Sequence, residues 1–127
     1  MFLFTNPNPQ HARVGDCAVR ACSIATGQTW ERTFVELCLL GLLNCDMPSA
    51  NAVWGRYLRL HGFTRHVVPE SCPDCYKLSD FAADHPHGIF VVGMAGHVVT
   101  IKDGNWMDTW DSGSECPLFY WTEDNNV

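Results

Sequence analysis

The chain has 127 residues, which suits a single domain spanning residues 1–127 around one hydrophobic core. Apolar residues make up 46% of the sequence and charged residues 17%, so the composition is that of a globular and not of a disordered protein. Eight Lys and Arg stand against 14 Asp and Glu, giving a formal net charge of −6 without a basic run, and we therefore expect no nucleic-acid partner.

The first half of the chain predicts three helices. The first is expected to begin at Cys17, with Asp16 as its N-cap, and to end before Gly27. Thr29 is the expected N-cap of the second helix, and Ser49 that of the third. No strong strand signal precedes these helices, and residues 6–14 are interpreted as an extended lead-in.

The second half predicts strands, which makes the fold α+β, with N-terminal helices packed on a C-terminal antiparallel sheet. A short helix with Ser79 as its N-cap is expected to end near residues 84–86, between the first strand and the others. A hairpin centred on Asp103-Gly104 pairs residues whose numbers sum to about 207, and this register places Asp108 near the level of His97. The expected strands cover residues 63–68, 88–94, 98–101, 106–110 and 118–121.

Three residues, in chain order, have the chemistry of a thiol hydrolase. Cys17 opens a helix, whose unpaired N–H groups lower the pKa of a thiol and are placed to donate to an oxyanion. His97 opens a strand and is the expected base toward the thiol and acid toward the leaving group. Asp108, on the return strand, is the expected orienting group for the imidazole, with Asp111 as the alternative.

Four segments also carry a resemblance to a known family. They are Gly-Asp-Cys-Ala-Val-Arg-Ala at 15–21, Thr-Gly-Gln-Thr-Trp at 26–30, Gly-His-Val-Val at 96–99 and Asp-Thr-Trp-Asp-Ser-Gly at 108–113. The chain resembles, over almost its whole length, a small papain-like family of mostly uncharacterised proteins from phages and mobile elements of gut bacteria. The resemblance implies a papain-like fold, the triad Cys17, His97 and Asp108, and the cytoplasm of a bacterial host as the location. The Asp-Cys pair is also similar to that of NlpC-type cell-wall peptidases, which usually have Ser and Gly where this chain has Ala18 and Val19.

Further residues are expected around the triad. Papain-like enzymes place a glutamine shortly before the cysteine as second oxyanion donor, and Gln10 lies seven positions before Cys17, with Asn8 as the alternative. Trp106 and Trp110 flank Asp108, and they either line the substrate cleft and shield the site from water or pack in the core.

The location expected from the residues is also cytoplasmic. The apolar start of the chain is too short, and lacks the positive charge, for a secretory signal. The longest apolar window, from Leu37 to Leu43, is too short to cross a bilayer, so no membrane partner is expected. Seven cysteines without a secretory signal argue against a disulfide framework.

Cys72 and Cys75 form one C-x-x-C motif, which is half of a structural zinc site. No second pair has ligand spacing, so we favour a loop whose thiols pack beneath the sheet, and we expect neither a metal nor another cofactor. The residues that would complete a zinc site are His85, His87, Cys45 and Cys116.

The function expected from the residues is that of a papain-like cysteine hydrolase: a peptidase, isopeptidase or amidase acting on a peptide or protein through an acyl-thioester. A transglutaminase-type acyltransferase shares this chemistry as far as the acyl-enzyme and stays open. Two non-enzymatic alternatives also stay open: a phage-encoded binding or inhibitory protein on a papain-like scaffold, and a zinc-stabilised interaction domain built on Cys72 and Cys75.

Overall fold

The structure is a computed structural model, and it describes residues 1–69 and 76–123. These ranges hold four helices and six strands, so the predicted α+β class is confirmed. In chain order the elements are β1 Phe2–Phe4, α1 Cys17–Thr26, α2 Trp30–Asn44, α3 Asn51–Leu60, β2 Phe63–Val67, α4 Leu78–Asp84, β3 Ile89–Met94, β4 His97–Lys102, β5 Asn105–Asp108 and β6 Phe119–Glu123.

The three longer helices start close to the predicted positions. α1 ends before Gly27, which adopts the left-handed conformation (φ 70°) that glycine accommodates without strain. Thr29 caps α2, because its side chain accepts a backbone N–H of the first turn at 3.2 Å. α3 begins later than predicted, with Ala50 and not Ser49 at its N-cap, since Ala50 N–H closes a turn onto Met47 O at 3.0 Å.

The six described strands form one sheet in the order β1-β5-β4-β3-β6-β2. The predicted antiparallel C-terminal sheet needs correction, because β1 adds an N-terminal strand that runs parallel to β5 and makes the sheet mixed. Phe2 lies opposite Trp106, and Phe4 lies opposite Asp108. A strand of three residues is too short to show a period of two, so no pattern in the sequence predicted it.

The hairpin between β4 and β5 has the predicted register. Its turn is made by Asp103 (φ 50°) and Gly104 (φ 80°), the pair of left-handed residues that a tight two-residue hairpin needs. The last residue of β5, Asp108, thus comes level with the start of β4. The paired residues are Lys102 with Asn105, Ile101 with Trp106 and Thr100 with Met107, and each pair sums to 207.

Both faces of the sheet are covered, which explains why the central strands are apolar on both sides. Along β3, Val91 packs into a core shared with α1, α2 and α3. Phe90 and Val92 point to the opposite face, where they pack with Phe81 of α4. None of the four described helices combines the length and hydrophobicity needed to span a bilayer.

Candidate active site

The amino end of α1 and the first residues of β4 are held together by packing and by one buried hydrogen bond. Thr100 of β4 is fully buried, and its hydroxyl donates to the backbone oxygen of Ala21 in α1 at 2.7 Å. Val98 packs into the same core as α1. This contact sets Cys17, at the start of α1, beside His97, at the start of β4.

His97 lies between Cys17 and Asp108. Its Nε2 is 2.7 Å from Oδ2 of Asp108, and the two side chains are 12% and 0% exposed. On its other flank His97 lies near the Cys17 thiol, close enough that each of the two groups shifts the pKa of the other. Since Nε2 is engaged by the carboxylate, Nδ1 is the ring nitrogen that remains for the thiol.

The pKa values of the thiol and the imidazole are shifted in opposite directions. Burial raises the pKa of Cys17, but the hydrogen bond and charge of His97, the Val98 backbone and the charge of Arg20 together lower it below 9.0. Burial lowers the pKa of His97, but its hydrogen bonds to Asp108 and Cys17 and their charges raise it to about 9. Such shifts favour a thiolate beside an imidazolium.

Asp108 is held as a carboxylate by four donors. Burial raises its pKa, but the hydrogen bonds from His97 and Ser112, the His97 charge and the backbone of Thr109 lower it below 3.8. Ser112 Oγ donates to Oδ2 at 2.7 Å, while Thr109 N–H and Arg20 Nη2 donate to Oδ1 at 2.8 and 2.9 Å. With both oxygens engaged, the carboxylate has one orientation toward the imidazole.

Arg20 is the functional residue that the sequence reasoning missed. Its side chain is 5% exposed and donates to two carboxylates, Nη1 to Asp16 and Nη2 to Asp108. Asp16 is the N-cap residue of α1, as predicted, but the expected side-chain cap bond is absent, because its carboxylate accepts from Arg20 and from Trp30 Nε1 (2.9 Å). The spacing of Asp16 and Arg20, four residues apart on one helix face, was the available signal.

The segment that precedes α1 is anchored near the site at both of its ends. Thr5 N–H donates to the backbone oxygen of Asp108 at 2.9 Å, and the segment then runs to the start of α1. Gln10, the predicted second oxyanion donor, is exposed, whereas Asn8 is 7% exposed. Oδ1 of Asn8 accepts two backbone N–H groups of the segment, at 2.9 and 3.3 Å, and its Nδ2 donates to no described residue.

The two predicted cleft tryptophans lie in different places. Trp110 is 45% exposed, and its ring centroid is 4.8 Å from that of His97, so it covers one side of the imidazole. Trp106 instead packs against the core beneath α4, and its Nε1 donates to Asp111 Oδ1 at 2.8 Å. Asp111, the alternative orienting group, also accepts Gly113 N–H at 3.0 Å. Its carboxylate therefore stabilises the turn at residues 111–113 and does not orient His97.

The predicted C-x-x-C pair, Cys72 and Cys75, lies outside the described residues. Within the described ranges, no group of three or more His, Cys, Asp and Glu side chains is arranged to hold a metal ion. His85, one of the proposed zinc partners, stacks on Phe81 with ring centroids 4.0 Å apart. The cysteines with free thiols in this part of the chain are Cys17, Cys22, Cys38, Cys45 and Cys116.

Comparison of the chain with protein-family models, with curated proteins and with solved structures gave no match. The function must therefore be inferred from the geometry and chemistry of the site itself.

Proposed function

We propose that this chain is a papain-like cysteine hydrolase that cleaves a peptide, isopeptide or related amide bond. The observation that carries the proposal is His97, which is bonded through Nε2 to Asp108 at 2.7 Å and lies close enough to Cys17 for the two pKa values to be coupled. The order of elements, with the cysteine opening a helix and the histidine opening a strand of the sheet, supports a papain-like fold.

In the acylation step, the thiolate of Cys17 attacks the substrate carbonyl carbon and forms a tetrahedral intermediate. The imidazolium of His97 then donates its Nδ1 proton to the leaving nitrogen, the carbon–nitrogen bond breaks, and an acyl-thioester remains on Cys17. Asp108 holds the ring in place and stabilises its positive charge before the transfer.

The oxyanion of the intermediate needs hydrogen-bond donors. The first backbone bond of α1 runs from Arg20 N–H to Asp16 O at 2.8 Å, so the N–H of Cys17 precedes the hydrogen-bonded turns. We assign the second donor to Asn8 and not to Gln10, because Asn8 is buried, is held through its oxygen, and keeps its Nδ2 hydrogens for a ligand.

In the deacylation step, neutral His97 removes a proton from water, and the resulting hydroxide attacks the thioester. The carbon–sulfur bond breaks, the acid product leaves, and the thiolate–imidazolium pair of Cys17 and His97 is restored. An amine in place of water gives acyl transfer by the same steps. A primary amine added during turnover, with products identified by mass spectrometry, distinguishes transfer from hydrolysis.

The first test is the rate of alkylation of each thiol as a function of pH, followed by peptide mapping. The exposed Cys45 and Cys116 serve as references within the same molecule. We expect Cys17 to react at pH 6 with an apparent pKa well below about 8.5, the value for an unperturbed thiol. Buried Cys22, whose pKa is raised by burial, should stay unmodified. If Cys17 reacts no faster than the references, the triad is not functional and a binding scaffold becomes the better interpretation.

Two variants separate the roles of the site residues. His97→Gln should remove the enhanced alkylation of Cys17. Asn8→Asp should raise the apparent pKa of Cys17 through its added charge but leave the alkylation rate of the ionised thiol unchanged, because alkylation forms no oxyanion. Asn8→Asp keeps the oxygen that holds the lead-in segment but loses the Nδ2 donor, so acylation of Cys17 by an activated ester should fall about 100-fold. Gln10→Glu is the matched control and should change neither rate; the opposite ranking would assign the donor to Gln10.

A further inference from the structure

We propose that a second site, distant in the sheet from the triad, binds the phosphate group of a small molecule. The site is a cavity of about 620 Å³ between α3, the end of α2, and strands β2 and β6. Strand β3 separates β6 from β4, which carries His97. The volume lies within the range of small-molecule pockets, about 300–1,000 Å³.

The walls of this cavity are positive, although the chain as a whole carries a net charge of −6. Three of the eight Lys and Arg residues, Arg56, Arg59 and Arg65, line it, and no Asp or Glu does. None of the three forms an ion pair with a carboxylate in the described part of the chain, where the paired arginines are Arg20 and Arg32. The local charge therefore remains available to an anionic ligand.

The three guanidinium groups are held in place by neutral neighbours. Arg59 lies over the ring of Trp121 at 5.4 Å, and Arg65 lies over the ring of Phe119 at 4.4 Å. An aromatic face engages the plane of a guanidinium and leaves the N–H groups at its edge free. Arg56 uses Nη1 on the neutral Asn44 Oδ1 at 3.0 Å. These contacts restrict the exposed guanidinium groups without neutralising them, which lowers the cost of ordering them when an oxyanion binds.

The polar groups of the wall are mostly donors. The amide oxygens of Asn44 and Asn51 are occupied by internal donors, Arg56 and Trp54 Nε1. Trp121, which is 4% exposed, has a buried Nε1 hydrogen without an acceptor among the described residues. The accessible donors are thus chiefly the three guanidinium groups, which match the several oxygens of a phosphate better than the two of a carboxylate. Because phosphate alone fills only part of the cavity, a phosphate ester of mononucleotide size is the expected class.

The test uses the full chain labelled with ¹⁵N at low salt and follows the indole N–H signals of its five tryptophans. Inorganic phosphate, AMP and adenosine are titrated separately, and the Trp121 signal is assigned with Trp121→Phe. Phosphate and AMP should shift the Trp121 signal saturably, AMP should bind about tenfold more tightly, and adenosine should have no effect. Equal affinities for phosphate and AMP would overturn the proposal that the ligand is a phosphate ester, and inorganic phosphate would then be the expected ligand.

Arg56→Gln and Arg65→Gln should each weaken AMP binding about tenfold, the effect of losing one charge-assisted hydrogen bond. Arg32→Gln, which removes the same charge from an exposed position, is the control and should bind AMP as the wild type does. Equal weakening by Arg32→Gln, or no saturable shift at about 10 mM of either anion, would overturn the proposal, since a millimolar site is then mostly occupied. Cys17→Ala should bind AMP normally, so this result is independent of the proposed hydrolase activity.

Discussion

At the scale of single residues, the site is a row of groups that alternate in charge. Asp16 contacts Arg20, Arg20 contacts Asp108, Asp108 contacts His97, and His97 contacts Cys17. Each group has at least one neighbour of opposite charge once the thiol is ionised. This arrangement permits a buried thiolate, because the charges that desolvation penalises are paired and hydrogen-bonded.

Arg20→Gln should therefore affect both stability and the thiol. The variant leaves Asp16 buried without a cation and Asp108 with His97 alone, and we expect a loss of about 3–5 kcal/mol in the free energy of unfolding. It should also raise the apparent pKa of Cys17, because the charge of Arg20 is among the factors that lower it. Urea unfolding and the pH dependence of alkylation measure the two effects.

Two variants control for this prediction. Arg20→Lys keeps the charge but has no fork to reach both carboxylates, so it should restore the pKa of Cys17 partly. Arg32→Gln breaks an exposed pair with Glu36 and should change stability by less than about 1 kcal/mol. A stable Arg20→Gln variant with an unchanged alkylation profile would show that the guanidinium does not support the triad.

At the scale of elements, the position of β6 beside β3 depends on a glycine, Gly93, which has no side chain. The ring of Phe119 in β6 lies over Gly93 in β3, and a Cβ at position 93 would stand 2.2 Å from Cζ of that ring. Phe119 in turn stacks on Trp54 of α3, with centroids 5.9 Å apart, so the ring has little room to move. Adding one methyl group at position 93 therefore tests how tightly Phe119 is packed between the sheet and α3.

Gly93→Ala should lower the free energy of unfolding by about 1–3 kcal/mol through overpacking. Gly15→Ala is the matched control, because nothing lies within 4 Å of the Cβ it would add. Urea midpoints of the two variants give the comparison. Equal stabilities would mean that Phe119 repacks freely and that β6 is not held by this contact.

At the scale of the whole molecule, the site makes stability depend on pH. His97 has a raised pKa, so its charge contributes stability that is fully present below pH 6.5 and lost as the pH rises through its folded pKa. Cys17 acts oppositely, because its lowered pKa contributes stability present above 9.0 and lost as the pH falls through the folded value. Asp108, also lowered, loses its contribution below 3.8. In the wild type, the first two effects oppose each other.

The Cys17→Ala variant isolates the histidine. Burial lowers the pKa of His97, but the hydrogen bond and charge of Asp108 still raise it, so stability should fall as the pH rises above 6.5. Chemical unfolding at several pH values measures this fall. Adding His97→Gln should abolish it, and a fall of the same size in the double variant would assign the dependence to other groups.

The sequence by itself determined the local features, because their signals involve residues a few positions apart. Thr29 and Gly27 mark helix ends through backbone contacts within one turn, and Asp103-Gly104 sets the hairpin through its left-handed backbone. The hairpin register alone predicts that Asp108 lies close to His97. The order of the three triad residues along the chain was also evident from sequence: Cys17 opens a predicted helix, His97 opens a predicted strand, and Asp108 lies on the next predicted strand.

Only the tertiary structure decided which distant groups meet. Arg20 reaches Asp108 across 88 positions, and its second contact, to Asp16, occupies the carboxylate that would otherwise bond the first turn of α1. The parallel pairing of β1 with β5 joins residues 2–4 to residues 106–108, far apart in the chain. A strand of three residues is too short for its sequence to predict such a pairing. Trp106 and Trp110 look alike in sequence and differ only in what packs on them. Long-range contacts depend on how whole helices and strands pack together, and local sequence patterns do not predict that packing.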